Sequence, residues 1–131
     1  LCHDQQIALL PWSPLARGFL TGKYKRKESP ASSRYRSDKY FAERFFQPED
    51  FDVVERVDEV AKVNGVTTAQ VALAWLLHKG VCAPIIGATK MEHVEEAVGS
   101  LDVKLSPDDM KRLEEPYKSH RTIGPLPIPE S

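Results

Sequence analysis

Ile7-Ala8-Leu9-Leu10-Pro11-Trp12-Ser13-Pro14-Leu15-Ala16-Arg17-Gly18 opens with four apolar residues and stops at a proline. Continuous apolarity without alternation predicts a short strand covered on both faces. From Trp12 the chain turns into a loop, since two prolines and a glycine so close together disfavour a helix. Ala83-Pro84-Ile85-Ile86-Gly87 is a second run of the same kind, again leading into a loop. Whether these two segments are neighbouring strands decides the fold.

The sequence around them is helical. Pro48 to Asn64 places Phe51, Val54, Val57 and Ala61 on one face, with Gly65 as the stop. Thr67-Thr68-Ala69-Gln70 is a capping-box pattern opening a helix over 69–79 that is apolar nearly all round and closed by Gly80. A third helix is expected from Thr89, with Glu92 in capping-box register and Val94, Val98 and Leu101 inward. The fourth carries Ser106 as cap, Pro107 and two aspartates in its first turn, a Leu105–Met110 staple and Pro116 as terminator. Strands alternating with helices define a parallel α/β architecture. Two strands alone leave edges and faces uncovered, and a partner or oligomer covering them is expected. The stretch 23–48 is a basic loop with Phe41, Phe45 and Phe46 as apolar anchors, and the proline-rich 124–129 tail is neither helix nor central strand.

Composition narrows the function classes. The chain has 131 residues, 41% hydrophobic and 28% charged, with a net charge of -1. That suits one globular domain and gives no global pull toward nucleic acid or an acidic membrane. No apolar run approaches the roughly 20 residues of a membrane span, and residues 1–20 lack a secretory signal pattern. Cys2 and Cys82 read as reduced, buried thiols of a cytoplasmic protein. The histidines are not spaced as metal ligands, so no metal is expected. Glu95-Glu96 and Glu114-Glu115 read as solvated helix faces.

Parallel α/β folds place ligands at the C-terminal ends of their strands, which points to two loops. In the second, Gly87 allows close backbone approach, and Thr89 and Lys90 sit at a helix start that favours an anion, with His93 one turn on. Ordinary capping by Thr89 beside a solvated Lys90 explains the same residues. In the first, Ser13, Arg17 and a glycine-flanked backbone suit a pyrophosphate, and Trp12 offers a stacking face or a core side chain. Gly18 to Lys23 is not a P-loop: its glycines are one residue too close, and Tyr24 stands where a magnesium-binding hydroxyl is required.

Leu10 to Gly22 resembles the seventh-strand segment of the aldo-keto reductase family, and Pro84 to Glu96 resembles its eighth-strand segment. Thr68 to Trp75 is similar to the helix between them, and the aryl-alcohol-dehydrogenase-like branch is the nearest match. The resemblance implies strands seven and eight, with their helices, of a TIM-type (β/α)8 barrel, a fold that takes about 250 residues. On this view the chain is the C-terminal part of such a barrel, starting at Leu1 within it. The implied activity is NADP(H)-dependent reduction of aldehydes or ketones, with a small-molecule carbonyl substrate. By resemblance Trp12 stacks on the nicotinamide, and Ser13, Pro14, Leu15 and Arg17 hold the pyrophosphate. Gly87, Thr89, Lys90 and His93 hold the 2′-phosphate, and Glu96 lies near the adenine. Ala97 stands where the family has Asn, and His93 where Gln or Arg is more frequent. No residue here matches the family's catalytic Asp, Tyr, Lys and His, so the chain alone is expected to be inactive. The alternative is a non-catalytic nucleotide-binding or partner-binding remnant, like the channel β subunits of the family.

Overall fold

The computed structural model describes residues 1–24, 26 and 47–119. Among the described residues four α-helices carry the fold: α1 (Pro48–Asn64), α2 (Thr68–His78), α3 (Met91–Gly99) and α4 (Pro107–Glu114). The first has the predicted bounds. Pro48 and the reciprocal bonds of Gln47 and Asp50 start it, and Gly65 at φ 66° ends it. The Thr67–Gln70 and Ser106–Asp109 capping boxes form as expected. Each satisfies one first-turn N–H of its helix and the N–H of its own cap residue.

The main core lies between helices. Val57, Val60 and Ala61 of α1 meet Val71 and Ala74 of α2, Leu113 of α4, and Val103 and Leu105 of the connecting segment. Val60 and Val71 are fully buried, and each such side chain stabilises by about 1.5–3 kcal/mol. Leu105 is buried in this cluster and Met110 packs against it, as the expected staple requires. Charge reinforces the α1–α4 contact. Arg56 donates to the Arg112 carbonyl and to Glu115, while Glu59 accepts from both arginines. Glu114 accepts from the Trp75 indole at 3.0 Å and from Lys79 at 3.2 Å. Glu114 and Glu115 are therefore ion-paired and not simply solvated.

The strand pair departs from expectation. Among the described residues there is no named strand; Trp12 and Ile85 form an isolated parallel bridge. The segments do run side by side, because the Leu9 carbonyl accepts from Cys82 and Ala83, and the Pro11 carbonyl accepts from Ile85 at 2.8 Å. Pro11 and Pro84 have no N–H to extend the ladder, and a two-stranded pair is marginal without neighbours. Coverage on both faces is also absent: Ile7, Leu9, Leu10, Ile85 and Ile86 are exposed. The direction of pairing is that of an α/β unit, while the sheet is reduced to a single rung.

Four further expectations are corrected. The third helix starts at Met91, with Lys90 and not Thr89 as its N-cap residue, and it has no side-chain cap. Its stripe of Val94, Val98 and Leu101 faces outward, with Leu101 69% exposed, because no described element covers that face. Cys82 is exposed and Cys2 half-buried, and both are free thiols. The second helix ends at His78, one residue short of the predicted end. Most of the basic 23–48 loop, with Phe41, Phe45 and Phe46, and the proline-rich tail lie outside the described residues. Among the described residues no single helix is long and apolar enough to cross a membrane.

The Ser106–Asp109 box carries a pH dependence. The Ser106 hydroxyl, donating at 2.7 Å, holds the Asp109 carboxyl below its ordinary range against the opposing effect of burial. The Ser106 amide, Asn64 and Arg112 act in the same direction. A depressed folded-state value means this stability is present above the ordinary aspartate range, about pH 4, and is lost as pH falls through the folded-state value. Ser106→Ala is expected to cost about 1 kcal/mol at neutral pH and to flatten that acid limb. Urea denaturation over a pH series checks it, and an unchanged acid limb would count against the box.

Candidate cofactor site

A parallel bridge sends both chains the same way, so the loops after Trp12 and after Ile85 leave on one side of the pair. Trp12 does not pack into the core. Its indole is 72% exposed at the head of the first loop, which leaves a ring face open for stacking.

The loop beyond it is strained. Ser13, Ala16 and Arg17 have φ of 53°, 47° and 55°, and Gly18 follows at 90°. For a residue with a Cβ this left-handed conformation costs roughly 1–2 kcal/mol. Such conformers cluster at functional sites and persist only where surrounding contacts fix them. Here the Ser13 carbonyl accepts from Ala16 at 2.9 Å, and the Leu15 carbonyl accepts from Gly18 at 2.8 Å and Leu20 at 3.3 Å. Thr21 Oγ1 donates back to the Gly18 carbonyl at 2.8 Å. Residues Ala16–Thr21 thus form two 3₁₀ turns joined through left-handed Arg17 and Gly18, where a plain loop was expected. Ser13, Pro14, Leu15 and Arg17 are all half-buried within this knot.

The second loop is open. Gly87, Thr89, Lys90 and His93 are exposed, and Glu96 is half-buried on α3. The amino end of α3 lacks the side-chain cap that Thr67 and Ser106 give α2 and α4. Its first-turn amides, with the exposed Lys90 as N-cap residue, form the kind of helix end that favours an anion.

Two features escaped the sequence reading. A Cβ added to Gly18 would come 2.7 Å from Lys23 Nζ, so the Lys23 ammonium lies against the knot. It also stands 5.2 Å over the Tyr24 ring. The second feature is a small aromatic cluster beneath the loop, in which Phe19, Tyr24, Phe51 and Val54 are buried together. Phe19 and Leu20, apolar between Gly18 and Gly22, signal such an anchor in the sequence; the partner on α1 does not follow from local pattern. Among the described residues no His, Cys, Asp and Glu group could hold a metal ion.

The geometry defines a parallel α/β unit with a strained, basic loop and an uncapped basic helix start on one side. The aldo/keto reductase family model matches residues 1–118, and the chain belongs to that family. It is 41% identical over 118 residues to an aryl-alcohol-dehydrogenase-like protein of Saccharomyces cerevisiae, covering 88% of this chain and 33% of that protein. It is 34% identical over 116 residues to versiconal hemiacetal acetate reductase of Aspergillus parasiticus, covering 88% of this chain and 34% of that one. An aldo-keto reductase of Schizosaccharomyces pombe, yakc [NADP(+)], is 33% identical over 126 residues, 94% of this chain and 36% of its own length. The structure of a glycerol dehydrogenase from Gluconobacter oxydans superposes with a TM-score of 0.70 at 21% identity, over 97% of this chain and 39% of that one. The chain thus spans about a third of the length of these relatives, and its fold superposes on part of the glycerol dehydrogenase.

Gly18→Ala tests the strained knot. The φ of 90° makes the substitution costly wherever Lys23 moves, so a loss of about 1–2 kcal/mol is expected in urea denaturation. Adding Lys23→Ala should leave most of that loss in place. Full recovery in the double variant would show that the cost is a side-chain clash and not backbone strain.

Proposed function

We propose that this chain is the NADP(H)-binding part of an aldo-keto reductase that reduces a small aldehyde or ketone by hydride transfer. What supports the reading most is the pairing of two unlike anion sites on one side of a parallel bridge, on a chain of this family. A dinucleotide carrying a 2′-phosphate presents two separate phosphate groups, and these two loops offer a set of donors to each.

The residues of this chain bind and orient. Ser13, Arg17 and Lys23 bring hydroxyl and cationic donors to the pyrophosphate, with the backbone of Pro14 and Leu15 shaping the path. Trp12 supplies a ring face for the nicotinamide. Gly87 gives close approach, and Thr89, Lys90 and His93 receive the 2′-phosphate at the amino end of α3, with Glu96 toward the adenine. The bound dinucleotide supplies hydride. The proton for the carbonyl oxygen has no donor among the residues matched here, so purified 1–131 is expected to show no NADPH-dependent reduction of an aromatic aldehyde. Measurable turnover by this polypeptide would overturn that statement. The exposed Ile7, Leu9, Leu10, Ile85 and Ile86 are the surface that further barrel strands, on this chain or another subunit, would cover.

Lys90 discriminates the cofactors. Only NADPH carries the 2′-phosphate, and a charged hydrogen bond lost there costs about 1.5–3 kcal/mol. In the full protein, Lys90→Ala is expected to weaken NADPH about tenfold or more and NADH less than about twofold. Fluorescence titration with both nucleotides reads the difference, and equal losses would remove Lys90 from the 2′-phosphate site.

A further inference from the structure

We propose that Phe51 is a positioning residue for the cofactor loop, acting from α1 through Phe19. The inference rests on the reading that residues 12–23 bind the pyrophosphate side of the dinucleotide.

Among the described residues the loop's backbone hydrogen bonds, and the Thr21 hydroxyl's bond to the Gly18 carbonyl, join residues within 13–21 and fix the shape of the knot. Side chains tie that knot to α1. Phe19 follows Arg17 and Gly18 directly and is 2% exposed. Its ring meets the Phe51 ring edge-on at 5.3 Å and stacks with Tyr24 at 6.1 Å. Ala16, one of the left-handed residues, packs against the same cluster, as does Leu20. Edge-to-face ring contacts are directional as well as apolar, so they set orientation.

Of these rings Phe51 is the one carried by a helix of the main core. It stands in the first turn and a half of a 17-residue helix whose far half, Val57, Val60 and Ala61, is built into the main core. The Arg26 guanidinium lies 5.8 Å over the Phe51 ring and pairs with Asp52 and Glu55 on the same helix, which further confines the ring. Phe51 therefore transmits the position of α1 to Phe19, and Phe19 transmits it to Arg17 and Gly18. Left-handed conformers at Ala16 and Arg17 need this kind of external constraint to persist. The clusters are distinct. Phe51 and Leu113 lie in different ones, with Leu20 packed against both. This separation allows a positioning role to be told apart from general stability.

Amide hydrogen exchange over 16–22 and over 107–114, compared in wild type, Phe51→Ala, Phe51→Leu and Leu113→Ala, tests the proposal. Phe51→Ala is expected to speed exchange in 16–22 by about tenfold or more while 107–114 changes less than about twofold. Phe51→Leu, which keeps bulk, should fall between wild type and Phe51→Ala, and Leu113→Ala should act mainly on 107–114. In NADPH titrations Phe51→Ala should raise Kd about tenfold, with Phe51→Leu recovering part of the loss. Unchanged exchange over 16–22 in Phe51→Ala, or equal acceleration of both segments in both Phe51 variants, would overturn the positioning role. A wild-type protein that does not bind NADPH would overturn the proposed function instead, and the exchange comparison would still decide the role of Phe51.

Discussion

The bond from the Ile85 amide to the Pro11 carbonyl, at 2.8 Å, sets the relation on which the site depends. It holds two distant segments side by side and parallel, so both following loops emerge on one side. A helix has to connect parallel neighbours, and α1 and α2 occupy that connection. The packed core of α1, α2 and α4 then fixes how far apart the two ends can move. The pairing itself is slender, with a single bridge and exposed isoleucines and leucines on either side. The helical layer keeps the arrangement in place while the sheet contributes little.

In the proposed site the two loops are built differently. The first loop spends backbone strain, with Ser13, Ala16 and Arg17 in left-handed conformations, to bring its donors to one place. That requires a rigid footing, which the Phe19–Phe51 contact supplies. The second uses an unstrained helix end whose cap is left off, so no side chain competes for its first-turn amides. A pyrophosphate needs shape, and a terminal phosphate needs charge and open access. The chain spans about a third of its relatives' length, and both loops of the proposed site lie in that third.

Local signals in the sequence proved legible. Pro48 and Gly65 bound α1, and the Thr67–Gln70 and Ser106–Asp109 boxes open α2 and α4, because each acts within one turn of chain. The motifs of residues 10–22 and 84–96 were enough to reach the family, which the match over residues 1–118 establishes. What depends on distant neighbours was not legible. Strands at Ile7–Leu10 and 83–87 need flanking strands to form a ladder, and the stripe of Val94, Val98 and Leu101 needs a surface to cover it. The start of α3 was misplaced by two residues because Thr89 has the chemistry of a cap without forming the bond. Lys23 reaches Gly18 only through the turn at Gly22, and Phe51 reaches Phe19 only in three dimensions.

The central claim is that the loops after Trp12 and after Ile85 make one dinucleotide site. Amide chemical shifts of the labelled chain, followed while NADP+ is added, test it most directly. The account predicts shifts at Ser13, Arg17 and Gly18 and at Thr89, Lys90 and Met91 that grow together along one binding curve. Movement of one loop without the other, or two curves with different midpoints, would contradict it.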